Sequence, residues 1–289
     1  MKKTAIVTDS NSGFSPEEAR RAGVWVIPMP FYIDEKLYYQ DIDLTIDDFY
    51  TRLNNDEDIK TSMPLVGDLL SFWEKVLEEY EELVYIPMSS GLSSSCATAQ
   101  NFAPDYNGRV HVVDNRRISV SLKQSVYDAL AMTEEGKSGE EIKQALEEAA
   151  GDGLIFITMD SLNYLKKGGR LTPTVAAIGT LLNIKPVLLI DGAKLDAYKK
   201  VRGKPAAKDA MIQAVKDTIK TKFAGLDPVK DLLLFSAYSQ LNDEAREWNE
   251  RLQKEFPDIP FSHDPLSLSV ACHIGPGAVA VVIMKRIGR

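Results

Sequence analysis

The chain has 289 residues, 44% of them apolar and 26% charged, enough for a large core and two domains. A formal net charge of −8 argues against a general nucleic-acid-binding surface. The two cysteines, Cys96 and Cys272, show neither CxxC nor metal-ligand spacing, which argues against a disulfide scaffold or zinc site and fits a reducing compartment. The N-terminal apolar run is too short for a signal peptide, and no apolar stretch approaches the ~20 residues of a membrane span, so a cytoplasmic protein is expected.

In chain order, "TAIV" (4–7) predicts a strand and "TDSNSG" a turn. Ser15-Pro16-Glu17-Glu18 opens a helix with a hydroxyl cap, an early proline and a glutamate three residues on, and Gly23 closes it. "VWVIPMPF" (24–31) predicts a second strand, and "LVYIPM" (83–88), "VHVV" (110–113) and "LIFITM" (154–159) predict further buried strands. Helical patterns lie at 65–80, 93–103, 118–135 and 138–150, the last opened by a capping box at Ser138. Unbroken apolar strands alternating with helices predict a parallel sheet covered on both faces.

The second half changes character. A short helix over 161–170 ends at Gly168 and Gly169, and an apolar helix is predicted over 174–183. Strand 184–190, the turn Asp191-Gly192 and a returning strand make a hairpin. Helix 205–222, strand 232–238, a helix capped by Asn242 and strand 278–284 follow. The fold class is therefore α/β in two domains: an N-terminal parallel-sheet, Rossmann-like α/β/α domain over 1–156 and a C-terminal α+β domain over 157–289. Segment 61–81 is a candidate to pack with the second domain, and strand 278–284 to return to the first.

The stretch "IPMSSGLSSSCATAQ" (86–100) sets five serines and Gly91 between an apolar strand and a helix. One reading is plain capping and turn formation. The other is an anion site, since first-turn N–H groups lack helical partners and the macrodipole adds positive potential. No GxxxxGK[ST] or GxGxxG occurs and the nearest basic residue is Arg109, so a carboxylate suits the loop better than a phosphate. "KTSMP" (60–64) offers Thr61 and Ser62 ahead of another helix start. His273 precedes Gly275-Pro276-Gly277, where two glycines permit close backbone approach; His111, flanked by valines in a strand, reads as structural. Lys166, Lys167, Arg170, Lys194, Lys199, Lys200, Arg202, Lys204 and Lys208 make a local basic patch, either a solvated face or a surface for a phosphorylated ligand or acidic partner.

The pieces "TDSNSGF", "TSMP", "SSGLSSS", "VVDNRRISV", "SLNYLKKGGRL", "LLNIKPVL", "KVRGK" and "HIGPGAVAV", in that order over nearly the whole chain, resemble the DegV family, which includes the fatty-acid-binding subunits of bacterial fatty acid kinase. The resemblance implies a long-chain fatty acid such as palmitate, stearate or oleate, buried between two domains, and no cofactor. It implies that Thr61, Ser93 and the Ser94 backbone hold the carboxylate, with His273 orienting Thr61 and Gly91, Gly275 and Gly277 shaping the loops. Arg170 and Arg202 would face the kinase catalytic subunit, which binds ATP, and the acyl phosphate made there would feed phospholipid synthesis, with an acyltransferase as a further partner and transient contact with a membrane surface. The chain itself would then be a carrier, not an enzyme, with no nucleic-acid partner. Met63 and Leu65 stand where the family often has other residues.

Two alternatives stay open on the residues alone. One is a serine hydrolase with Ser93 as nucleophile, His273 as base and Asp9 or Asp114 as orienting acid, although no GxSxG elbow is present. The other is a phosphosugar or nucleotide binder using the serine loop.

Overall fold

A computed structural model describes residues 2–176, 184–192 and 194–287. The chain divides into two compact units, one of residues 1–150 with 267–269, the other of 151–266 with 270–289.

In the first unit β1 (Lys2–Asp9) leads through α1 (Pro16–Ala22) into β2 (Trp25–Ile27). The capping box at Ser15 is formed, and Gly23 ends α1 in the left-handed region at φ 71°. The single strand expected over 24–31 is two, because Pro28 and Pro30 lack the N–H groups that a continued ladder needs. β2 stops at Ile27, and Pro30 starts β3 (Pro30–Ile33) in another sheet. That sheet is antiparallel and adds β4 (Lys36–Tyr39) and, after α2 (Ile46–Asn54), β5 (Ile59–Thr61) on either side of β3. Then come α3 (Val66–Leu77), β6 (Tyr80–Ile86), α4 (Ser95–Phe102), β7 (Val110–Val112), α5 (Ser119–Glu134) and α6 (Gly139–Glu148).

The main sheet runs β2-β1-β6-β7, all parallel. Successive strand residues point to opposite faces. Ala5, Val7, Leu83 and Tyr85 pack with Leu69, Trp73, Cys96 and Ala99 of α3 and α4. On the other face α5 and α6 lie against β1, β6 and β7, burying Leu122, Val126, Ile142 and Leu146. This is the α/β/α arrangement expected from the sequence. Segment 61–81, considered for the second domain, instead supplies α3 to this core, because Leu69, Trp73, Val76 and Leu77 form an apolar stripe facing β6.

The second unit contains β8 (Gly153–Thr158), α7 (Asn163–Lys167), α8 (Pro173–Ala176), β9 (Ile184–Ile190), β10 (Leu195–Arg202), α9 (Lys204–Thr221), α10 (Pro228–Asp231), β11 (Leu232–Tyr238), α11 (Asp243–Glu255), β12 (Phe261–Pro265), α12 (Leu268–Ile274) from Val270 onward, its first two residues belonging to the first unit, and β13 (Val279–Lys285). The helix expected over 174–183 lies mostly outside the described residues. The six-stranded sheet runs β10-β9-β8-β13-β11-β12, antiparallel except for β11 with β12. α9 and α11 cover one face through Met211, Val215, Trp248 and Leu252.

Two expectations change here. The sequence predicts the run 154–159 in the parallel sheet, with the boundary at 156. It forms β8, antiparallel to both neighbours and wholly inside the second unit. The last strand does not return to the first unit. Val279–Lys285 pairs with β8 on one side and β11 on the other, and an apolar strand gains most from two such ladders.

Candidate functional site

The order β2-β1-β6-β7 places a topological switch point between the carboxyl ends of β1 and β6, where open α/β sheets bind ligands. The two loops that leave it are "DSNSG" after β1 and "PMSSGLSSS" after β6.

Asp9 organises both loops. One carboxylate oxygen accepts the Asn11 amide at 2.9 Å and Asn11 Nδ2 at 2.8 Å. The other accepts the Met88 amide at 2.9 Å. Burial pushes the Asp9 carboxyl pKa up, against the pull of these three N–H groups. Asn11 Oδ1 in turn accepts the Ser269 hydroxyl, and the Leu268 amide donates to Gln40, so the short stretch 267–269 seals this end of the first unit.

The five serines divide their work. Ser89 is buried; its hydroxyl accepts the Gly91 amide at 3.1 Å and its amide donates to the Arg117 carbonyl at 2.9 Å. The Ser90 amide donates to Asp114. Ser93 Oγ accepts the Ser95 amide at 3.2 Å and donates to Ser95 Oγ at 3.0 Å, so it satisfies the first amide of α4 from the position before the N-cap. Ser94 sits at the N-cap position, exposed, and its hydroxyl donates to Met63 Sδ at 3.7 Å. Thr98, one turn on, donates to the same sulfur at 3.6 Å. Met63 thus joins the end of β5, where half-buried Thr61 pairs with Phe31, to the first turn of α4. Thr61, Ser93 and Ser94 therefore belong to one neighbourhood of the first unit.

The second unit holds another cluster. His273 lies near the end of α12 with its ring against Gly168, where an added Cβ would stand 1.9 Å from Nδ1. Burial, helped by the positive charge of Arg170, lowers the His273 pKa to about 4. Arg170 is exposed and its Nη1 donates to the Gly168 carbonyl at 2.7 Å. Gly275 and Gly277 adopt φ of 78° and 73°. Tyr164 fills the space beside Gly275 and Asp160 that beside Gly277. Arg202 is exposed at the end of β10, an edge strand.

The basic patch is smaller than its sequence suggests. Lys204 binds Glu244 and the Gly277 carbonyl, both at 2.6 Å, and Asp160 at 3.1 Å; Lys208 binds Glu244 at 2.9 Å. These lysines are internal ties rather than surface charges. Lys166, Lys167, Lys194, Lys199 and Lys200 stay exposed. His111, read as structural, bridges Glu82 and Glu140 at 2.9 and 3.2 Å.

The hydrolase reading finds no support in this geometry. The Ser93 proton is directed at Ser95 Oγ, and both Asp9 oxygens are occupied by amides. Asp9 as the clamp of both loops, and Met63 as the bridge, were not singled out from the sequence. An Asp closing a buried strand ahead of Ser-Asn is the signal for the first, through its Asx turn.

A doubly wound α/β unit with a hydroxyl-rich helix start at its switch point is the class that fold and site define. The family model described as "uncharacterised protein, DegV family" matches residues 3–286. A DegV domain-containing protein of Staphylococcus aureus (strain MRSA252) is 31% identical over 291 residues, covering 99% of this chain and 100% of its own. One from Clostridium acetobutylicum is 30% identical over 285 residues, 96% and 95% of the two chains. Among solved structures, a fatty-acid-binding DegV family protein from Thermus thermophilus superposes with a TM-score of 0.87 at 26% identity, over 98% of this chain and 100% of that one. A fatty acid binding DegV family protein from Streptococcus agalactiae gives 0.87 at 26%, over 99% and 100%. The chain belongs to the DegV family.

Proposed function

We propose that this chain binds a long-chain fatty acid and carries it for a separate kinase. The observation that supports this most is the first turn of α4. The Ser94 amide and nearby Thr61 offer neutral donors at the switch point, the Ser93 hydroxyl joins them by turning from Ser95 Oγ to the ligand, and α4 adds its dipole there. Such donors suit a carboxylate, and each buried CH₂ of an acyl chain adds ~0.8 kcal/mol, so strong binding needs no cationic clamp. Relatives from Thermus thermophilus and Streptococcus agalactiae described as fatty-acid-binding support the ligand class.

His273, held neutral by burial and Arg170, suits hydrogen bonding without charge. In this proposal it orients Thr61 toward the carboxylate, as the resemblance implies. The resemblance likewise implies Arg170 and Arg202 as residues that meet the kinase catalytic subunit and the phosphate being transferred, and delivery of the acyl phosphate to phospholipid synthesis. Both arginines are exposed, as a partner-facing role requires.

The test is solvent extraction of the purified protein followed by mass spectrometry. A stoichiometric long-chain fatty acid is the expected result. A clean blank, repeated after incubation with mixed fatty acids, overturns the proposal. Arg170→Ala and Arg202→Ala should then retain lipid yet yield less acyl phosphate with the kinase subunit.

A further inference from the structure

Among the described methionines, Met29, Met132, Met159, Met211 and Met284 are 4% exposed or less. Met63 and Met88 are half-buried, and both border the serine loop. Of the two, Met63 has its sulfur in use. Ser94 Oγ lies 3.7 Å away and Thr98 Oγ1 3.6 Å away, both donating to it. Residues four apart share a helix face, so one sulfur bridges the first turn of α4. Met63 stands two residues after Thr61, and the Ser62 amide is fixed to the Pro30 carbonyl at 3.1 Å. The sulfur contact therefore ties the segment that follows Thr61 to the serine helix. A thioether is a weak acceptor, so it turns the Ser94 hydroxyl aside at little cost and leaves the Ser94 amide to the ligand.

We propose that Met63 is a positioning residue of the carboxylate site and that peroxide oxidation of its sulfur weakens ligand binding. This rests on the fatty-acid reading above. In the oxidation an S–O bond forms as the O–O bond of hydrogen peroxide breaks. The sulfide loses two electrons and the remaining peroxide oxygen leaves as water. The new oxygen enters a gap where sulfur and hydroxyls are already in contact, so the Thr61 segment and α4 must separate.

The test measures binding of palmitate and of 1-hexadecanol, which has the same chain without a carboxylate, to wild type, Met63→Leu and Met63→Gln. Leucine keeps the bulk and removes the acceptor. It should weaken palmitate about fivefold, leave hexadecanol unchanged, and leave thermal unfolding unchanged. Glutamine restores an acceptor and should recover palmitate affinity to within about twofold of wild type. Peroxide-treated wild type should lose palmitate affinity with one added oxygen at Met63 by mass spectrometry, and Met63→Leu should resist the same treatment. Equal losses for acid and alcohol, or full palmitate affinity in Met63→Leu, overturn the inference while leaving the fatty-acid reading intact. Peroxide sensitivity that persists in Met63→Leu overturns the oxidation role. Wild type that binds neither ligand overturns the fatty-acid reading itself, and this inference with it.

Discussion

The Asp9 carboxylate accepts the Met88 amide at 2.9 Å and so ties the end of β1 to the start of the serine loop after β6. The same carboxylate holds Asn11 by two N–H groups. Replacing it with alanine strands three buried donors, each worth about 1–3 kcal/mol when unsatisfied. Asp9→Ala should therefore cost roughly 3 kcal/mol or more in urea unfolding. Asp9→Asn also suffers, because its NH₂ must face an amide donor. A loss below about 1 kcal/mol in Asp9→Ala would show that the clamp is dispensable.

How much of this was legible in the sequence depends on the physics of each signal. The capping boxes at Ser15 and Ser138 were readable because both partners lie within four residues. The run 154–159 misled because a strand buried on both faces looks the same in a parallel and an antiparallel sheet. β12, with Ser262, His263, Asp264 and Pro265, lacks any apolar alternation and draws its pairing from β11. The serines announced a site but not their separate duties. Whether Ser93 serves the first amide of α4 or waits for a ligand is decided by contacts two residues away, and Met63 joins Ser94 across 31 positions of chain.

Cys96 is fully buried in α4, and burial, with Asp114, Glu147 and Asp9 nearby, pushes its thiol up to about 12. Cys272 is buried as well. Since the thiolate is the nucleophile, neither should react with a disulfide reagent such as DTNB at neutral pH in the folded protein. Both should react in denaturant. Rapid labelling of Cys96 under native conditions would refute this packing.

His273 makes stability depend on acid. Its pKa is about 4 in the folded chain, against 6.5 for the free side chain. As pH falls below 6.5 the unfolded chain takes up this proton first, so stability falls through the window from 6.5 to 4 and then levels. Above that window the group is neutral in both states and contributes no slope. The loss across it is on the order of 3 kcal/mol. His273→Asn should flatten the curve in this range, which chemical denaturation at several pH values will read directly.

Gly168 tests the same imidazole from the other side. A Cβ there would stand 1.9 Å from His273 Nδ1, although the Gly168 backbone itself is ordinary at φ −77°. Gly168→Ala thus probes space and not conformation. Overpacking of this kind costs about 1–3 kcal/mol, and the imidazole must swing away. The expected signature is a lower melting temperature together with a His273 NMR titration that moves back toward the free value. Gly169, left-handed at φ 68° with nothing within 4 Å of its added Cβ, is the control in which strain alone acts.

Lys204 and Lys199 carry the same charge in the same basic run, yet the structure separates them. Lys199 is exposed on edge strand β10, where lysines discourage pairing with other chains. Lys204 reaches inward to Glu244, Asp160 and the Gly277 carbonyl, and so holds the Gly-Pro-Gly turn after α12. Lys204→Met keeps the apolar stem and removes the ammonium. Glu244 keeps Lys208 and Asp160 keeps Lys185, so neither carboxylate is stranded. The cost then comes from the Gly277 carbonyl and the weakened network, about 2 kcal/mol. Lys199→Met should stay within about 0.5 kcal/mol of wild type. Paired thermal melts of the two variants give the comparison. Equal effects would mean that the basic run acts as one solvated surface and that the inward ties of Lys204 add nothing.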